Sequence, residues 1–278
     1  MDRLEAFKLI AAQASQGEMT FPTNVDASLK LQQALNDPDC HIDAAAKLVQ
    51  ADPLLAARTV AIANSVAYNR FGSEISSVRA AVHRMGVRTL QSLVAALIVR
   101  QLGGNFTHPE LRAKAAQLWA HTAHVAALAQ VIARRVTHVD PDTALFAGIV
   151  HEVGGFYLLS RAAEFPGILD GEPEDWVEHG EQAIGRGVLT KLVIPEPVMS
   201  AVEALWDGMR ALPPETLGDT LLLANDLAPV HSPFHERPGA TSRQAARTID
   251  FVVGDGTLNM ILSESQQEVK SLLEVLML

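Results

Sequence analysis

The chain has 278 residues, 48% of them hydrophobic, which suffices for one large core or two smaller ones. Its net charge is −10, from 22 basic and 32 acidic residues, and no run of Lys or Arg is present to neutralise a phosphate backbone. Aromatic residues are only 5%, which leaves few stacking platforms, and the single cysteine, Cys40, excludes an intrachain disulfide or a cysteine-based zinc cluster.

The N-terminus, MDRLEAFKLIAAQASQG, mixes acids with bases and lacks a secretory pattern, which predicts a cytoplasmic protein. Further along, Asp37-Pro38, Asp52-Pro53 and Asp140-Pro141 each pair a capping acid with a proline suited to the first helical position. Ile42, Ala45, Ala46 and Val49 follow the first pair at helical spacing. The run LVAALIV, Leu93 to Val99, reads as a buried helix face, and no apolar run approaches the roughly 20 residues of a spanning helix. Gln101 to Leu111, with two glycines and a proline, separates two helical blocks. A second stripe is Val125, Leu128, Ala129 and Ile132, and a third is Val269, Leu272, Leu273 and Leu276. Between them, His231 to Arg243 is rich in Pro, Ser and His and reads as a mobile loop. Strand-like alternation is confined to the short run Phe251 to Val253, so the expected fold is all-α.

The stretch GIVHEVGG, Gly148 to Gly155, sets His151 beside Glu152 in an apolar run. A zincin helix needs a second histidine four residues on, and Gly155 stands there instead. Histidines can also converge from different helices. His121 lies four residues before Val125 and seven before Leu128, on the inward stripe. His151 shares its face with Gly148 and Gly155, which add no side-chain volume. Two inward histidines and a carboxylate can form one pocket in a helical core. His231 and His235 have i, i+4 spacing, but Pro233 between them opposes a continuous helix, so they read as loop histidines.

The segment TALFAGIVHEVGGFYLL resembles the centre of the HD-superfamily metal-dependent phosphohydrolases. FPTNVDASLKLQQALNDPDCHIDAAAKLVQADPLLAARTVAIANSVAY and SSVRAAVHRMGVRTLQSLVAAL resemble the HDOD domain, from about Met19 to Leu212. That resemblance implies an HDOD domain over 19–212, divided into an N-terminal helical block (19–105) and an HD-like block (106–212). It is preceded by an N-terminal helix (1–18) and followed by a C-terminal helical extension (213–278) that contains the loop 231–243. Asp52-Pro53 then reads as a helix start, Asn64-Ser65 as backbone-bonding residues where a helix ends, and Gly86 as a tight helix junction.

Carried over by motif, His121 matches the first histidine of the HD metal site and His151 the second. Glu152 replaces the paired Asp, and Asn225 falls on the later Asp, with Asp226 about 100° around the helix. A neutral amide is the poorer ligand for a hard cation. The additional histidines of two-metal relatives map to Glu181–Gly185 and Leu205-Trp206, which supply no histidine, although His179 lies just before the first. The resemblance therefore implies a degenerate site, with no cofactor expected, and a bacterial signalling module acting on a protein partner. Two other readings stay open. One is a residual phosphohydrolase for a nucleotide or cyclic dinucleotide, holding a divalent metal on His121, His151 and Glu152. The other is a pocket that senses a small molecule or nucleotide without turnover. The third apolar stripe packs back on the bundle or forms a homodimer contact.

Overall fold

The structure is a computed structural model describing residues 2–19, 21, 25–69, 72–104, 106, 108–208, 211, 213–234 and 257–277. Among these residues every regular element is helical and no strand occurs, as the stripes predict. The first group comprises α1 (Arg3–Ser15), α2 (Asp26–Leu35), α3 (Ile42–Gln50), α4 (Pro53–Ala63) and α5 (Val78–Leu102). After the glycine-containing connection come α6 (Pro109–Ile132), continued by a π-helical turn at Ala133–Thr137, then α7 (Pro141–Val150) and α8 (Val153–Arg161). A short α9 (Pro173–Trp176) and a second π-helical turn (Val177–Glu181) lead into α10 (Gln182–Lys191), α11 (Glu196–Asp207) and α12 (Leu217–Leu227). Two last helices follow, α13 (Thr257–Glu264) and α14 (Gln266–Met277). Phe251–Val253, His235 and the loop beyond Phe234 lie outside the described residues.

Local chemistry sets the helix starts. Asp52 Oδ1 accepts from Leu55 N at 3.0 Å and Asp140 Oδ1 from Thr143 N at 2.7 Å, with Pro53 and Pro141 at the first helical positions. Asp37 behaves differently from expectation. Its Oδ1 accepts from Asp39 N at 2.9 Å within a turn, and α3 starts later, at Ile42, with His41 as its cap. The Asx turn satisfies the carboxylate locally before a helix can start. Asn64 closes the end of α4: its amide donates to Ile75 O at 2.7 Å, and its carbonyl accepts from Ile75 N at 2.8 Å. Gly86, with φ 81 and ψ 170, kinks α5, a backbone conformation that an L side chain opposes.

α5 is the spine. Helices α2, α3 and α4 of the first group and α7 and α8 of the second all pack on it. Leu93 to Val99 is buried on every face, which explains why that run shows no amphipathic period. α6 and α7 pair closely, α12 packs on both of them, α11 packs on α12 and α7, and α1 lies against α10. A partly buried hydrogen-bonded cluster centred on Tyr68, in the connection after α4, ties the start of α7 to α5 and α6, with Thr89 Oγ1 of α5 3.4 Å from the Tyr68 oxygen. Tyr68 donates to Asp142 Oδ1 at 2.7 Å, and Gln130 Nε2 donates to the Tyr68 oxygen at 2.7 Å.

One difference concerns length. Pro141–Arg161, spanning α7 and α8, is 21 residues and apolar enough to cross a membrane by length and composition. Within its most apolar window 89% of residues are buried inside this fold, so the other helices already cover it. The stripe of α14 packs inward as well. Leu272 and Leu276 are buried, Val269 and Leu273 are partly covered, and Trp119 Nε1 of α6 donates to Leu276 O at 3.2 Å.

Candidate functional site

α6 and α7 carry the two histidines into contact because their backbones nearly touch. A Cβ built on Gly148 would lie 2.8 Å from Ala126 N, and closer still to Ala126 Cα, so only glycine permits the approach. His121 Nε2 and His151 Nε2 are 3.2 Å apart, and Glu152 Oε1 is 3.9 Å from His121 Nε2. His121 is 2% exposed, and His151 and Glu152 are 4% exposed each. His151 and Glu152 sit in the turn between α7 and α8 rather than within one continuous helix.

Both tautomers follow from their partners. His121 Nδ1 faces Val230 O at 2.8 Å, and His151 Nδ1 faces Gly148 O at 2.8 Å. A carbonyl oxygen only accepts, so each Nδ1 carries a hydrogen, and the 3.2 Å contact between the two Nε2 atoms is then bridged by one proton or by a cation that both lone pairs hold. The Nδ1 contacts are the outer hydrogen bonding which orients imidazoles as metal ligands. One ligand atom from each of His121, His151 and Glu152 lies within 4.8 Å of the others. Tetrahedral bonds of about 2.0–2.1 Å put ligand atoms roughly 3.3 Å apart, so the three residues fit a divalent cation. Asn225 stands on α12, which packs against α6 and α7, and its Oδ1 is buried with no hydrogen-bond donor among the described residues.

The glycines do not leave space. Gly154 faces the backbone of Gly185 on α10, and Gly155 is covered by the ring of Phe234, beside Glu152 Oε2. Gly148 and Gly155, which share the face of His151, leave no open volume there, because the α6 backbone approaches the first and the Phe234 ring covers the second. Phe234 ends a strap after α12. Within it Val230 O holds His121, and His231 O accepts from Gln117 Nε2 at 3.0 Å. The described part of the expected mobile loop is therefore anchored across the triad. Its sequence shows Pro, Ser and His but not these main-chain acceptors, so composition could not reveal the closure. The Glu181–Gly185 segment serves packing: Gly185 touches Gly154 and Trp206.

The all-helical fold thus brings together two inward histidines, one on α6 and one at the end of α7, and the acid that follows the second. The sequence profile of the HDOD domain matches residues 21–170, and the chain belongs to that family. Among solved structures, the chain is similar to a Shewanella amazonensis SB2B protein named provisionally as a metal-dependent phosphohydrolase. That pair has 20% identity and a TM-score of 0.74, covering 99% of this chain and 100% of the other. It is similar also to an HDOD domain protein of unknown function from Geobacter sulfurreducens, with 21% identity, TM-score 0.63 and coverage of 98% and 97%. A protein from Marinobacter aquaeolei VT8 named provisionally for signal transduction has 16% identity and a TM-score of 0.61, covering 100% of this chain and 67% of that one. At these identities the likeness shows a shared fold. No curated protein matches the chain.

Proposed function

We propose that this HDOD protein is a non-catalytic module of bacterial, cytoplasmic signal transduction that acts by binding a protein partner. The observation that carries the reading is the closure of the triad. Hydrolysis of a phosphoester needs a metal with an open position for water and room for substrate. Here His121, His151 and Glu152 are at most 4% exposed, beneath the strap that carries Val230 and Phe234. The later acid of the HD site is replaced by Asn225, a weaker ligand. The division into blocks 19–105 and 106–212 with an extension 213–278 is part of the same proposal. Chemical cross-linking in cells tests it: a partner captured in stoichiometric amount supports it, and the chain recovered only as itself under several growth conditions contradicts it.

The ligand geometry favours a second reading. His121, His151 and Glu152 would hold a divalent cation, with Asn225 as a weak oxygen donor, and such an ion would supply Lewis acidity toward a phosphoester. The chain's own part is orientation: Val230 O and Gly148 O fix both rings, and the Phe234 ring lies over Gly155 beside Glu152. Turnover by this reading requires the strap to leave.

A further inference from the structure

Between α4 and α5 the chain carries a short extended stretch that the helical fold does not use as an element. Asn64 pairs with Ile75 as a neighbouring strand would: its side-chain amide donates to Ile75 O at 2.7 Å, and its carbonyl accepts from Ile75 N at 2.8 Å. Both main-chain groups of one residue point the same way in extended backbone. The positions two residues to either side repeat that direction. Ser73 O accepts from Arg84 Nη2 at 3.0 Å, and Ser77 O accepts from Ala81 N at 3.0 Å, with Ser77 itself extended at φ −112 and ψ 139. By the same alternation the N–H and C=O of Glu74 and Ser76 point away from these partners, and both residues are exposed. The stretch is thus a lone strand with one edge held by the protein and the other turned outward.

A groove of about 570 Å³ adjoins this strand, lined by Ile75, Ser77, Arg79, Ala80, His83 and Arg84. Ile75 and Ser77 are two residues apart, so their side chains share a face, and that of Glu74 takes the other. The lining brings two arginines and a histidine and no acid. Asp43 of α3 reaches Arg79 at 2.8 Å and His83 at 3.7 Å, but all three side chains are more than half exposed. A surface ion pair of that kind contributes little, so an incoming carboxylate can take the place of Asp43. We propose that Glu74–Ser76 is a docking edge for an extended, acidic segment of a protein partner, which pairs along the strand and sets its acids on the groove face, toward Arg79 and His83. Such an edge rests on the partner-binding reading of the chain and gives it a surface. Main-chain bonds along the edge supply affinity, and alternate side chains supply selection. Acids are the matching choice because the lining is cationic in a chain of net charge −10.

The test is fluorescence anisotropy of a labelled peptide of five Glu-Thr repeats, titrated with the full chain at low ionic strength, beside Ser76→Pro, Ser76→Ala and Arg79→Gln. The edge requires saturable binding to the unmodified chain. Ser76→Pro removes the outward N–H, and proline keeps the preceding Ile75 extended, so the variant loses at least about fivefold in affinity, the weight of one hydrogen bond. Ser76→Ala keeps the N–H and binds as the parent does. Arg79→Gln weakens binding by a similar factor and reduces its salt dependence, and a peptide of Lys-Thr repeats binds more weakly than the acidic one. Ser76→Pro should melt with the parent, since the N–H it removes points away from the fold; a large loss of stability would place that N–H inside and overturn the proposal. Absence of saturable binding, or equal affinity in the parent and Ser76→Pro, overturns it as well. In cross-linked cells Ser76→Pro should lose the partner that the parent captures. A partner still captured by the variant overturns the docking edge and leaves the partner-binding reading standing, whereas a parent that captures none overturns both.

Discussion

Replacing Gly148 by alanine tests how the site is positioned. The added Cβ would lie 2.8 Å from Ala126 N, and the atoms it meets first belong to the α6 backbone, which cannot rotate away. Relief requires α6 and α7 to separate by a few tenths of an ångström to about 1 Å, against the close packing of a protein interior. Overpacking of this kind costs about 1–3 kcal/mol. At about 2–4 °C per kcal/mol for a chain of this size, thermal unfolding should begin roughly 2–12 °C lower. The same separation pulls His151 from His121, now 3.2 Å apart, so any affinity for divalent metal should fall together with stability. Ala126→Gly should not rescue the variant, because the clash is with backbone rather than with the Ala126 methyl. Differential scanning calorimetry of the single and double variants measures this. A Gly148→Ala protein that melts within about 1 °C of the parent, or full rescue by Ala126→Gly, would refute the backbone-contact reasoning.

Three other outcomes follow from the structure. Tyr68→Phe removes a hydroxyl bonded at 2.7 Å to Asp142 and at 2.7 Å to Gln130, leaving these two groups only their 3.3 Å bond to each other. It should cost about 1–3 kcal/mol in urea unfolding, and no loss would remove the cluster from the account. Burial, and then the Asp142 charge, push the Tyr68 phenol well above the usual tyrosine range, so absorbance titration should find it protonated wherever the fold survives. Asp219 is buried, which opposes its charge, but hydrogen bonds from the Thr216 hydroxyl and the amides of Ala211, Thr216 and Glu215 outweigh this and hold its carboxyl below 3.8. Its stabilisation is therefore complete above the unfolded value and fades as pH falls through the depressed folded one. Asp219→Asn should lower stability at neutral pH and flatten the acid limb of a stability–pH curve; parallel curves for the two proteins would contradict this.

The helical fold was legible because inward stripes repeat at helical spacing, as at Ala45, Ala46 and Val49, all of which are buried. Asp52 and Asp140 announced their helices for a local reason, since a cap needs only its own next turn. Asp37 looked the same in sequence and closed a turn instead, because an Asx turn uses the same carboxylate. His121 and His151 were legible as inward residues, and the structure brings them together. The strap was not legible: Val230 acts through its carbonyl and Phe234 through a ring laid on Gly155, and neither leaves a periodic signal.

The central claim is the absence of turnover at the His121–His151–Glu152 triad. The direct measurement is hydrolysis of a cyclic dinucleotide and of bis-p-nitrophenyl phosphate by protein purified without chelator, with manganese or ferrous iron supplied, beside His151→Ala, and with the metal content of both samples determined. The account expects product release indistinguishable between the two proteins, whether or not the parent retains metal. Turnover that accompanies stoichiometric metal in the parent and disappears from the variant would contradict it and establish the triad as an active site.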